Sequence, residues 1–138
     1  MKNRTKVLLA IIGLAIAASL STNIVSARLI GELSNFWVDG QNTHRTEYLT
    51  KERHSNYVIQ LNFPSGRPRL VTQTMLVNSN GDWRGNYWGL TYEGTRNTFP
   101  NFAQPSYIYA TEFKRQYAWD GWTVISGTWS PDTRYGER

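Results

Sequence analysis

Hydrophobic and polar residues alternate along most of the chain, and the longest alternating stretch sets the expected architecture. From Tyr107 to Trp119 the odd positions carry Tyr107, Tyr109, Phe113, Tyr117 and Trp119, interrupted only by Thr111 and Arg115. The even positions from Ser106 to Ala118 are smaller or polar. A period of two held this long marks a strand with two different faces. The stretch then meets Asp120-Gly121, a pair that tolerates positive φ and so signals a two-residue hairpin loop. The predicted hairpin pairs Trp119 with Trp122, Tyr117 with Val124, Arg115 with Ser126 and Phe113 with Thr128. Its other face sets Ala118 against Thr123, Gln116 against Ile125 and Glu112 against Trp129.

The same pattern recurs upstream. Tyr57, Ile59, Leu61 and Phe63 fall on one face of a strand over 55–63, and Pro64 to Pro68 form the loop after it. Leu70 to Val77 predict the next strand and Asn78 to Gly81 the next turn. If Asn80-Gly81 is the loop, Val77 faces Arg84, Met75 faces Asn86, Gln73 faces Trp88 and Val71 faces Leu90; a longer loop shifts that register. Residues 82–94 read as a strand whose glycines, Gly85 and Gly89, imply a bend, a bulge or an aromatic packed across them. Residues 28–38 fit a helix or a strand, with Leu29, Leu33 and Trp37 on one face. A strand is favoured because everything downstream is β. Residues 95–106 form an irregular stretch in which Phe99 and Phe102 plug one end of the sheet or rim it.

These elements predict an all-β fold. About seven antiparallel strands with short connections point to a single small up-and-down barrel, with a β-sandwich as the alternative. The segments Gly85-Asn86-Tyr87-Trp88 and Gly127-Thr128-Trp129 resemble strands of avidin-like and lipocalin-like barrels over those few residues. They depart from the lipocalin pattern in position, since Gly127-Thr128-Trp129 falls in the last strand rather than near the first, and no family is assigned on them.

Residues 1–27 stand apart. Lys2, Arg4 and Lys6 precede an apolar run, Val7 to Leu20, and Val25-Ser26-Ala27 offers the small-x-small pattern of a cleavage site. This is the signature of a cleaved secretory signal, expected as a helix, and it implies a secreted or periplasmic protein. One β domain is then expected over 28–138, with 131–138 a loose polar tail. The whole chain carries +5. Three of its fifteen Lys and Arg lie in the signal, leaving twelve against ten acids. Such a scattered, nearly balanced charge does not make the basic face that nucleic acid requires. The chain has no cysteine, which excludes thiol catalysis and disulfide stapling and leaves stability to packing and β-pairing.

Catalytic signatures are missing: no nucleophile elbow, phosphate loop, dinucleotide fingerprint or H-E-x-x-H occurs, and no cofactor or metal is expected. His44 and His54 lie with Glu47, Glu52, Arg45 and Lys51 in a polar stretch that reads as a solvated strand and turn. Glu93 and Glu112 are the best candidates for paired carboxylates, though Lys114, Arg115 and Arg96 are at hand to neutralise them. What the chain offers instead is aromatic surface, with six Trp and eight Tyr. Trp and Tyr join large apolar area to a polar tip, which suits wet binding faces. The expected site is an aromatic-lined surface or barrel mouth built from Trp88, Tyr107, Tyr109, Arg115, Tyr117, Trp119 and Trp122. It would bind a carbohydrate, a small apolar ligand or another protein. A secreted antagonist or its exported immunity partner, acting at a membrane surface, and a subunit of an extracellular assembly are the alternatives.

Overall fold

The computed structural model describes residues 28–64 and 66–134. The signal expected over 1–27 and the last four residues of the expected tail lie outside them. Among the described residues there is no helix, and nine strands form two antiparallel sheets packed together. The strands are β1 (Gly31–Val38), β2 (His44–Arg45), β3 (Leu49–Thr50), β4 (Tyr57–Leu61), β5 (Val71–Asn78), β6 (Gly89–Tyr92), β7 (Arg96–Phe99), β8 (Ile108–Arg115) and β9 (Thr123–Ser130). The first sheet runs β1-β9-β4-β7. The second runs β2-β8-β5-β6, with β3 also on β8. The all-β expectation holds, in the two-sheet form. The up-and-down order does not, because β5 and β6 are the one pair of consecutive strands that hydrogen-bond to each other.

The predicted aromatic hairpin is absent for the same reason. β8 pairs with β5, whereas β9 pairs with β1 and β4 in the opposite sheet. Residues 116–122 therefore cross between sheets. Gly121 lacks the positive φ that a type I′ turn needs. Instead the Asp120 N–H donates to the Tyr117 carbonyl at 3.0 Å, and the Asp120 carboxylate accepts from the Tyr117 N–H at 3.0 Å. The aspartate caps its own turn rather than opening a hairpin.

The inner faces follow the alternation. Leu33, Tyr57, Ile59, Leu61, Phe99, Ile125 and Trp129 from the first sheet meet Leu76, Tyr109 and Phe113 from the second. Beside them lie fully buried threonines. Thr72 and Thr91 join through their hydroxyls, and Thr74 and Thr111 do so at 2.5 Å. Each hydroxyl is thus paired, which removes the penalty of an unsatisfied buried group. The outer face of the second sheet is covered as well, with Met75, Val77 and Ala110 under Tyr48 and Trp88.

The two glycines of the 82–94 segment do what their spacing implied. A Cβ on Gly89 would fall inside the Phe99 ring, and one on Gly85 would press the Met75 sulfur. The regular strand is shorter than expected, however. Arg84 and Gly85 both donate to the Leu76 carbonyl, so extra residues accumulate opposite one position of β5. The ladder consequently pairs Gln73 with Leu90 and Val71 with Tyr92, two residues away from the expected register. Strand β7 lies within the stretch expected to be irregular; it buries Phe99 and leaves Phe102 exposed.

The C-terminal segment is also no loose tail as far as Thr133, since Asp132 and Thr133 are fully buried. The Asp132 carboxylate accepts from the Glu52 N–H (2.6 Å), the Arg53 N–H (3.2 Å) and the Ser55 hydroxyl (2.7 Å). It also faces the Lys51 ammonium at 3.1 Å. That ammonium is itself fully buried and donates to the Ser55 and Pro131 carbonyls at 2.8 and 2.5 Å. Burial pushes the Lys51 pKa down, and the Asp132 charge opposes that shift. Removing one partner of a buried pair strands the other charge, at about 3–5 kcal/mol. Lys51→Met is therefore expected to lower unfolding free energy by about that much in urea titrations. The double variant Lys51→Met/Asp132→Asn, which removes the stranded charge and keeps a carbonyl to accept from the neighbouring N–H groups, should recover part of the loss, and a double variant no more stable than the single one would show that the pair is not the anchor.

Candidate functional site

A single extra residue decides where the first tryptophan points. Strand β1 enters with Leu33 inward, and strict alternation would carry Asn35 and Trp37 to the same inner face. Between Leu33 and Phe36 the register against β9 shifts, and Asn35 adopts φ 46°. The Asn35 N–H is caught by the Ser126 hydroxyl at 3.2 Å. After this bulge Phe36 and Val38 face the core, Phe36 meeting the Phe113 ring edge-on, and Trp37 faces solvent. Bulges re-aim side chains in this way.

Trp37 does not stand alone there. Its ring stacks on Trp122, with centroids 4.5 Å apart and planes 8° from parallel, and Tyr117 stacks on Trp119 at 4.9 Å and 4°. Such pairs contribute about 0.5–1.5 kcal/mol each beyond the area they bury. All four rings remain solvated, with Trp119 at 80 % exposure and Trp122 at 64 %. The crossing segment that carries three of them is fastened to the loop after β1. The Arg115 N–H donates to the Asp39 carbonyl at 2.6 Å and the Gly40 N–H to the Asp120 carbonyl at 3.2 Å. The Arg115 guanidinium reaches the Gly121 carbonyl at 3.1 Å. Gly40 is required by this closeness, because a Cβ there would collide with the Tyr117 carbonyl.

Asp39 organises the loop. One of its oxygens accepts from the Gln41 and Asn42 N–H groups at 3.0 and 2.8 Å, and the other contacts His44 Nε2 at 3.2 Å. The Asn42 N–H above all, then the His44 contact, lower its pKa to about 2. One end of the sandwich thus joins four exposed aromatic rings to a loop rich in amide, carboxylate and imidazole groups.

Of the seven residues expected to form the site, Arg115, Tyr117, Trp119 and Trp122 come together here. Tyr109 does not; it is buried in the core, where its hydroxyl donates to the Gln104 carbonyl and accepts from the Gln104 N–H. Trp88 lies on the outer face of the second sheet, with the Lys114 ammonium 4.5 Å from its ring centre and Trp83 edge-on at 5.6 Å. Tyr107 lines a separate open hollow of about 420 Å³ with Arg84, Asn78 and Gln104. Trp37 and Asp39 were missed. The hydrophobic pattern put Trp37 in line with Leu33, and only the Asn35 bulge separates them.

The carboxylates considered for catalysis are engaged elsewhere. Glu93 is fully buried and gripped by the Arg67 guanidinium through both oxygens, at 2.9 and 2.6 Å, and Glu112 is held by Arg45 at 2.8 Å. These partners lie far along the chain, 26 residues from Glu93 and 67 from Glu112. Glu112 lies opposite Met75 and Glu93 binds the Leu70 N–H, five positions away along the chain. That is roughly 16 Å at 3.3 Å per residue, well past the roughly 9.5 Å upper limit for an inverting pair. Among the described residues no three His, Asp or Glu side chains converge as metal ligands.

The lowered Asp39 pKa has a defined sign. The folded-state value lies below the ordinary 3.8, so the carboxylate favours the ordered loop above about pH 4 and loses that contribution as pH falls towards 2. Carbon-detected NMR should find Asp39 titrating near 2, and tryptophan fluorescence should change between pH 4 and 2. In Asp39→Asn that acid-dependent change should vanish, and its persistence would place the titrating group elsewhere.

No protein-family model matches the chain, and neither a curated protein nor a solved structure matches it.

Proposed function

We propose that the chain is an exported, non-enzymatic binding protein that takes a carbohydrate or a small apolar ligand on its aromatic end. The observation that carries this reading is the Trp37/Trp122 stack, held open to solvent by a bulge. Leaving large rings in water forgoes about 25 cal/mol for each Å² not buried. Clustered exposed aromatics therefore mark contact surfaces more often than chance. Flat rings stack on sugar faces and on apolar ligands alike, and the loop after β1 exposes the hydrogen-bonding residues Gln41 and Asn42. Export rests on the basic and apolar character of residues 1–27.

A second reading has one specific support. Trp119 is the most exposed of the described large hydrophobic residues, and tryptophan partitions to membrane interfaces. A secreted antagonist pressing this end into lipid would release dye from anionic vesicles, and Trp119→Ala would abolish the release.

For the leading reading, titrating neutral oligosaccharides and hydrophobic probes should shift the intrinsic tryptophan fluorescence. Trp122→Ala and Trp37→Ala should each weaken binding tenfold or more, about 1.4 kcal/mol, with each variant still folded and unfolding in urea in one cooperative transition at a midpoint lowered by the loss of the stack. If no probe moves the spectrum, the aromatic end is not a binding site for either class.

A further inference from the structure

Resting on that reading, we infer that the ligand is an uncharged oligosaccharide lying lengthwise along the outer face of the first sheet, from the Trp37/Trp122 stack into a polar hollow between β1 and β4. The hollow has a volume of about 390 Å³, and its lining includes Glu32, Ser34, Gln60, Asn62, Ser126 and Thr128. A volume of that order falls within the roughly 300–1,000 Å³ usual for ligand sites.

The hollow and the stack belong to one face. On β9, Ser126 and Thr128 share the outward parity of Trp122, since Ile125 and Trp129 point to the core. Trp37 stands opposite Val124, two residues from Ser126. From Trp122 to Thr128 the strand advances roughly 20 Å at 3.3 Å per residue, long enough for several pyranose rings. The Asn35 bulge ties the two parts together, because the residue that turns Trp37 outward is held by the Ser126 hydroxyl at the edge of the hollow. Gly127, at φ 151°, also lines the hollow, and the close approach of β4 requires it, because a Cβ there would meet the Gln60 carbonyl.

Lining chemistry selects the ligand class. Hydroxyls and primary amides both donate and accept, which matches sugar hydroxyls and offers little to an apolar chain. Among the described lining residues Glu32 is the single charged group, and Arg96 stands opposite Gln60 on β7. The face therefore has no excess of either sign with which to hold a charged polymer. An ordinary solvated sheet face would also carry such residues, but it would be flat and would not run up to a solvated tryptophan stack.

The experiment is a calorimetric titration of neutral β-linked gluco-oligosaccharides and N-acetylglucosamine oligomers, from disaccharide to hexasaccharide, with hydrophobic dye as a parallel probe. Affinity should rise at least tenfold from disaccharide to hexasaccharide. Gln60→Ala/Asn62→Ala should remove that gain while leaving disaccharide binding unchanged, and Tyr107→Ala, in the other hollow, should have no effect. Amide shifts of residues 126–128 on adding hexasaccharide give a readout in the unaltered protein that does not depend on the variant folding. Flat affinity with length, or full hexasaccharide affinity in Gln60→Ala/Asn62→Ala, overturns the lengthwise site but leaves the aromatic-end reading standing if Trp122→Ala still abolishes binding. Dye binding through Trp122 with no saccharide binding also overturns the inference alone, whereas no binding of any probe overturns both.

Discussion

Lys51 is a charged side chain with no access to water, and the protein keeps it by giving its ammonium three oxygen partners: the Ser55 and Pro131 carbonyls and the Asp132 carboxylate. An ion moved from water into the interior loses several kcal/mol of solvation even after relaxation, so such a site persists only when its hydrogen bonds are complete. The lysine and its partners come from different sheets. Lys51 exchanges backbone bonds with Ser106 and Tyr107 beside the β3–β8 edge of the second sheet, whereas Pro131 and Asp132 follow β9 in the first. The pair therefore clamps the sandwich at the end of β9. Without disulfides, this clamp and the core between the inner faces carry the work of holding the two sheets together.

With that end fixed, the other end carries the exposed aromatic connection. Residues 116–122 must travel from β8 in one sheet to β9 in the other, and this connection presents Tyr117, Trp119 and Trp122. Its shape is set by Asp120 and by backbone bonds to Asp39 and Gly40, so the aromatic rings ride on a braced loop and not on a bare hairpin tip. Pre-organisation of this kind reduces the side-chain and loop ordering that binding would otherwise require.

Much of the fold was legible because alternation reports faces faithfully. Tyr57, Ile59 and Leu61 point inward as their spacing implied, and Tyr109 and Phe113 do so on β8. Alternation says nothing about partners, however, and that is why β8 and β9 were paired with each other when each is central to a different sheet. Parity is also lost wherever one residue is inserted. Asn35 reverses the faces of Phe36 and Trp37, and the crowding of Arg84 and Gly85 against Leu76 shifts the β5–β6 register by two. The anchoring of Asp132 was hidden too, because its partner, Lys51, lies 81 residues away in a stretch whose polarity read as solvation.

The polar residues then divide by what they do, and the division bears on function. Glu93, Glu112, Asp132 and Lys51 are buried or nearly so, each facing an opposite charge, which commits the lone pairs and protons that acid–base chemistry would need. Thr72 and Thr91, and Thr74 and Thr111, satisfy one another. The outer face of the first sheet is of another kind, with hydroxyls and amides around the single charge of Glu32 in its hollow, and indole and phenol rings at its end. Groups of this sort hold a ligand by stacking and by many weak, directional hydrogen bonds, and neither requires a charge on the partner.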